Sequence, residues 1–192
     1  VDVWAVHCHA CGDMEEQLWQ TPDGAALAEG TIPIKVDTQS PAGRDFMKRY
    51  PVTGLPATIY LNADGTEFDR VEGYVQREAF LQDARPISIG IDGLQVIEGQ
   101  LKGNPNSLPL LLEALEKNLY RKRFVEADSV FQRILRNDPD NSKGSAEQAL
   151  RKMARFEENY TLDFVKAAGY YQQMAERFPM SPSAGGAVDG AF

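Results

Sequence analysis

Apolar residues fall along the chain in two regimes. Over residues 1 to 84, short apolar or β-branched runs alternate with helix-forming stretches, whereas from Leu108 to Phe178 the spacing is helical throughout. The run Val1 to Val6 predicts a strand that changes character at Cys8, and Met14, Leu18 and Trp19 set among Glu15, Glu16 and Gln17 predict a helix. Thr21-Pro22-Asp23-Gly24 should end that helix before a short second one reaching Glu29. Ile32 to Val36 predicts a strand, residues 42 to 50 a helix with Phe46 and Met47 on one face, and Ala57 to Leu61 a further strand. Asn62-Ala63-Asp64-Gly65 has the composition of a hairpin turn, so Phe68 to Tyr74 should return antiparallel before a helix over Gln76 to Ala84. The expected architecture of residues 1–85 is a mixed sheet with flanking helices, an α/β domain.

Residues 86–105 change character, with Pro86, Gly90, Gly93, Gly99, Gly103 and Pro105 spaced through an apolar segment. They read as a linker, in which Ile87, Ile89 and Ile91 suit an edge strand and Leu94 to Leu101 one or two helical turns. Residues 106–180 read as an all-α domain with an internal repeat at a spacing of 40 residues. Phe124, Ala127, Phe131, Ile134 and Pro139 pair with Phe164, Ala167, Tyr171, Met174 and Pro179. Small Ala permits close helix approach, the aromatic fills the groove, and Pro ends the helix, so each repeat should be a helical hairpin. Apolar positions at helical spacing are read as core before they are read as a ligand groove. Residues 181–192 lack periodicity and read as a flexible tail.

Composition narrows the function. The net charge of the 192 residues is -8, which gives phosphate backbones little to bind, so nucleic acid is not an expected partner. The one basic cluster, Arg121-Lys122-Arg123, lies between two helical patterns and reads as a helix end. No stretch approaches 18 uninterrupted apolar residues, so no membrane span is expected in this chain. The chain opens on Val1 inside a strand-like run, and residues upstream of it are expected to have been removed or left out.

The two cysteines lie in one motif, Cys8-His9-Ala10-Cys11, at the predicted strand-to-helix junction. At a helix N-terminus, unpaired N–H groups and the helix dipole stabilise a thiolate, which makes Cys8 the expected nucleophile. Cys11, one turn later, can attack the Cys8 sulfur and release a mixed disulfide. His9 between them is the candidate for stabilising the Cys8 thiolate, while His7 reads as a solvated loop residue. His7, Cys8, His9 and Cys11 also form a candidate copper or zinc cluster, but adjacent residues converge poorly on one ion and no second ligand pair follows. No metal and no cofactor is expected.

Several of these segments together resemble the thioredoxin family. They are Val1-Asp2-Val3-Trp4-Ala5 before the cysteine pair, Val52-Thr53-Gly54-Leu55-Pro56 about forty residues later, and Arg70-Val71-Glu72-Gly73-Tyr74 with the helix after it. Within that family the likeness is to the C-terminal domain of the thiol:disulfide interchange proteins, and it covers residues 1 to about 84. The resemblance implies a cis Pro56 beside the cysteine pair, with the backbone of Leu55 pairing with an incoming substrate chain. It implies that Asp2 is a buried aspartate beneath the site and Glu15 an acidic companion, both able to relay a proton to or from Cys11. Periplasmic or otherwise exported residence is implied as well. The sequence departs from the family where His7 replaces its Trp and His9-Ala10 replaces its Gly-Pro, and the family's upstream strand and helix are not among these 192 residues, so that they either precede Val1 or are dispensed with. The helical repeat resembles the tetratricopeptide family, although its 40-residue spacing is longer than that family's usual period.

The functional expectation is a thiol-disulfide oxidoreductase acting on protein or peptide thiols and disulfides, with a protein partner on the helical domain. The rivals are a helical binding module on a thioredoxin-like docking platform, and copper or zinc handling by the His-Cys cluster.

Overall fold

A computed structural model describes residues 1–179, which fall into two units, Val1–Gly93 and Leu94 onward. The tail expected over 181–192 lies outside the described residues. The first unit runs β1 (Asp2–Trp4), α1 (His9–Met14) continuing as a π-helical turn (Glu15–Trp19), α2 (Pro22–Ala28), β2 (Lys35–Asp37) and α3 (Pro41–Arg49). It ends with β3 (Ala57–Leu61), β4 (Glu67–Glu72) and α4 (Arg77–Ser88).

The four strands form one sheet in the order β2-β1-β3-β4, with β1 parallel to β2 and antiparallel to β3, and β3 antiparallel to β4. This is the mixed sheet that the alternating patterns predict. The Asn62 to Gly65 turn closes through a Gly65 N–H bond to the Asn62 carbonyl of 2.9 Å, with Gly65 at a φ of 77° that an L side chain rarely adopts. Met14, Leu18 and Leu27 pack with Phe80, Leu81 and Ala84 of α4 in one apolar cluster. Val3, Ala57 and Ile59 pack with Phe46, Met47 and Tyr50 of the α3 region in another. Ser40 caps α3 by accepting the Gly43 N–H at 2.9 Å, and a Cβ on Gly43 would lie 1.8 Å from the Asp37 carbonyl oxygen.

The second unit is helical. Its elements are α5 (Gly93–Gly103), α6 (Leu108–Tyr120), α7 (Phe124–Asn137), α8 (Ser145–Phe156) with a π-helical turn (Glu157–Thr161), and α9 (Phe164–Arg177). Leu111, Leu115, Phe131, Ile134 and Leu150 lie at the centre of its core. Helices α7 and α9 begin and end 40 residues apart, and the positions before them, Lys122 and Leu162, share a left-handed φ of 57° and 56°. Ala127 and Ala167 are buried in both, as are Ile134 and Met174.

The helical turns expected over Leu94 to Leu101 are present as part of the longer helix α5, and the segment 86–105 also holds the end of α4. Two expectations need correction. Ile87, Ile89 and Ile91 make no edge strand. Pro86 sits in the last turn of α4, where the missing N–H costs little of the helix before it, and Ile89 and Gly90 close the turn onto Arg85 and Ile87. Phe131 and Tyr171 do not pack alike: Phe131 is 3% exposed and meets Tyr170 edge-on at 5.8 Å, whereas Tyr171 is half-buried and donates its hydroxyl to Glu158 at 3.0 Å.

Candidate functional site

Strand β1 delivers the chain to the cysteine motif. Cys8 and Cys11 form a disulfide, with Cα atoms 5.2 Å apart. Cys8 occupies the N-cap of α1 in extended conformation, and its Sγ accepts the Cys11 N–H at 3.1 Å, as a capping Ser oxygen would. Cys8 is half-buried and Cys11 buried, so solvent meets Cys8 first. His7 and His9 are both exposed, and with Val6, Cys8, Gly12, Asp13 and Glu16 they line a cavity of about 380 Å³.

The Leu55–Pro56 peptide is cis, with Pro56 buried and Leu55 half-buried. Val3 faces Ala57 across the β1–β3 ladder, so Pro56, just before β3, sits at the sheet end toward which β1 runs to reach Cys8. The register of two antiparallel strands thus brings residues about fifty apart in sequence to one end of the sheet.

Asp2 stands at the start of β1. Burial pushes its carboxyl above the ordinary range, opposed by the Lys35 ammonium and reinforced by Glu15. Its Oδ1 is buried without a hydrogen-bond partner; the Trp19 indole N–H acts on the carboxyl without closing a bond of normal geometry. Both residues line a cavity of about 790 Å³ shared with Lys35, Thr58 and Tyr60. Glu15 behaves oppositely, because Lys35 bonds to it directly and holds its carboxyl below the ordinary range, helped by Gln20. Lys35 also lies over the Trp4 ring at 5.1 Å. The pattern reading did not single out Lys35 or Trp19. The only signal for Lys35 was a charge inside a β-branched run, and nothing marked Trp19 as more than a core aromatic.

Among the described residues no three His, Cys, Asp or Glu side chains are arranged to hold a metal ion, and no helix is long and apolar enough to cross a membrane.

Residues 1–85 match the family model described as a thioredoxin-like domain. This part of the chain is a thioredoxin-like domain. The domain is similar to a segment of the thiol:disulfide interchange protein DsbD of Klebsiella pneumoniae, 33% identical over 84 residues that make up 42% of this chain and 14% of that protein. DsbD 2 of Pseudomonas aeruginosa is 32% identical over 85 residues, again 42% of this chain and 14% of the relative. DsbD of Cronobacter sakazakii is 30% identical over 84 residues, 42% and 15% respectively. The matched segment thus spans about a seventh of each of these curated relatives. No solved structure matches the chain. A thioredoxin-like domain with a paired C-x-x-C, followed by a helix-rich region, is what the sequence patterns and the coordinates share.

Proposed function

We propose that this protein is a thiol-disulfide oxidoreductase whose thioredoxin-like domain exchanges disulfides with protein or peptide partners. The observation that carries the reading is the Cys8–Cys11 disulfide at the start of α1, with the first sulfur reachable and the second buried. In the reduced chain the Cys8 thiolate attacks one sulfur of a partner disulfide, forms the mixed disulfide and expels the partner's other sulfur as a thiolate. Cys11 then gives up its proton and attacks Cys8 Sγ. This restores the Cys8–Cys11 bond and releases the second partner thiolate, so the partner gains two electrons and the chain loses them. A partner dithiol running the same steps backwards reduces the chain again.

Each proposed residue has a part in that sequence. The raised carboxyl of Asp2 makes it a stronger base for the Cys11 proton than an ordinary carboxylate. Glu15, held ionised by Lys35, acts on Asp2 as a neighbouring negative charge. His9, exposed beside Cys8, offers an N–H to the thiolate. The Leu55 backbone before cis-Pro56 pairs with the partner's extended chain. An exported compartment suits a disulfide of this kind. The two 40-residue helix pairs of residues 106–179 are read as a tetratricopeptide-like module that selects the protein partner.

The test uses two variants of the full chain. Cys11→Ser should accumulate mixed disulfides with a polypeptide disulfide, resolved as higher bands on a non-reducing gel, and Cys8→Ser should form none. Equal rates of iodoacetamide labelling at Cys8 and Cys11 in the reduced protein would refute the assignment of roles.

A further inference from the structure

The segment between α3 and β3, residues 51–56, is irregular, and its order comes from side chains of the neighbouring edge strand. Arg70 of β4 is buried, with its side chain 4% exposed. It grips Glu67 with both ends of its fork, Nε to Oε1 and Nη2 to Oε2, each at 2.6 Å. That leaves Nη1 to donate to Glu72 Oε1 at 2.6 Å and to the Pro51 carbonyl at 2.7 Å. The other oxygen of Glu72 accepts the Thr53 N–H at 3.2 Å and the Thr53 hydroxyl. Next along the strand, the Gly73 N–H donates to the Pro56 carbonyl at 2.8 Å. Arg70 and Glu72 of β4, with Gly73 just after it, therefore hold the start, the middle and the end of the segment. Among the described residues no hydrogen bond takes up the backbone of Leu55.

We propose that Arg70 and Glu72 are positioning residues that hold residues 51–56 in the conformation that receives a polypeptide substrate. The proposal rests on the reading of Leu55 as the substrate-pairing backbone. A buried ion cluster is a poor way to gain stability, because desolvation offsets most of the attraction, and apolar residues of similar volume serve a core as well. What it supplies is direction. A guanidinium presents several donors in a fixed plane, so satisfying Glu67 bidentately fixes where the remaining nitrogen points, toward Glu72 and Pro51. Glu72 then passes that orientation to Thr53. The neighbours of Leu55 are tied down, so its free N–H and C=O are presented without the ordering cost a loose loop would meet on binding.

The test uses the full chain with Glu72→Gln, which keeps shape and loses charge, and with Thr53→Val, an exposed change that removes the hydroxyl donor without threatening the fold. The reduced protein is oxidised in single turnover by excess insulin, a polypeptide disulfide, or by hydroxyethyl disulfide, which is too small to pair with Leu55. Loss of hydrogen bonds to a charged group should lower the second-order rate constant for oxidation by insulin by roughly five- to tenfold in Glu72→Gln, chiefly by raising the insulin concentration that half-saturates the rate. The rate with hydroxyethyl disulfide should stay within about twofold, and the Cys8–Cys11 reduction potential should hold. Because both changes break one link, the double variant should be no worse than Glu72→Gln alone. Amide hydrogen exchange at Thr53 should accelerate in Glu72→Gln, which weakens the acceptor of its N–H. Equal losses with both disulfides, no loss with insulin, or unchanged Thr53 exchange would each overturn the proposal. If reduced wild-type protein is oxidised by neither disulfide, the oxidoreductase reading fails instead, and the exchange result alone decides whether Arg70 and Glu72 hold the segment.

Discussion

Replacing Phe131 with Ala should separate the core of the helical unit from its decorated ends. Phe131 is 3% exposed, packs in the cluster that includes Ile134 and Leu150, and meets the Tyr170 ring edge-on at 5.8 Å. Truncating a buried Phe removes its transfer free energy and leaves a cavity, a loss of about 3 to 5 kcal/mol that includes about 1 kcal/mol from the ring pair. For a unit of this size each kcal/mol lowers the midpoint by about 4 to 8 °C, so the variant should melt at least ~12 °C below wild type. The assay is thermal unfolding of the full chain followed by circular dichroism at 222 nm. Phe164→Ala is the control, since Phe164 is 64% exposed and a surface change should stay within about 0.5 kcal/mol. If the two variants melt together, or if Phe131→Ala melts within about 3 °C of wild type, the packing argument is wrong.

Two further outcomes follow from single side chains. The folded Asp2 carboxyl keeps its proton to higher pH than the unfolded one, so its contribution to stability falls as pH rises through the folded pKa. Asp2→Asn should therefore melt above wild type at pH 8, and the gap should close as the pH falls below the unfolded value of 3.8; a gap that widens toward acid would contradict this sign. Asp138, 1% exposed, accepts the N–H groups of Lys143 at 3.0 Å, Ser145 at 2.8 Å and Ala146 at 3.2 Å at the start of α8. Asp138→Ala leaves these donors unmet and should cost about 3 kcal/mol in urea unfolding, and a loss under about 1 kcal/mol would mean that the loop repairs itself.

Where local pattern and tertiary demand agree, the fold was legible. The run 57–61 became β3 without adjustment, because β-branched Thr58 and Ile59 with aromatic Tyr60 suit an inner strand of the sheet. The 40-residue register placed α7 and α9 at matching bounds, since the turn before each helix and the small Ala inside it recur together. Legibility failed where glycine and proline were read as breaks. Gly99 is tolerated in α5 because Leu94, Ile97 and Leu101 bury one face, and this outweighs the roughly 1 kcal/mol cost of an interior glycine, while Gly103 stands at the helix end. At the site, the cysteine pair was legible from spacing alone. The pairing of Lys35 with Glu15 was not, because it depends on a β2 register that brings residues 20 apart together. Arg70 and Glu72 looked like ordinary alternation on a half-solvated strand, and their partners, Pro51 and Thr53, belong to a segment with no periodicity.

The ion cluster on β4 also bears on how molecules of this protein avoid one another. In the described sheet β2 and β4 are the outer strands, and an outer strand is a template on which another chain can add. Strand β2 is three residues long and carries Lys35 and Asp37, while β4 buries Asp69 and Arg70 among Glu67 and Glu72. A foreign strand docking on β4 would have to lie against charges already committed to partners, and one docking on β2 would gain three residues of ladder at most. Both rims of the described sheet thus discourage indiscriminate strand addition, and a partner that pairs at Leu55, as proposed, gains only a short ladder that is easily reversed.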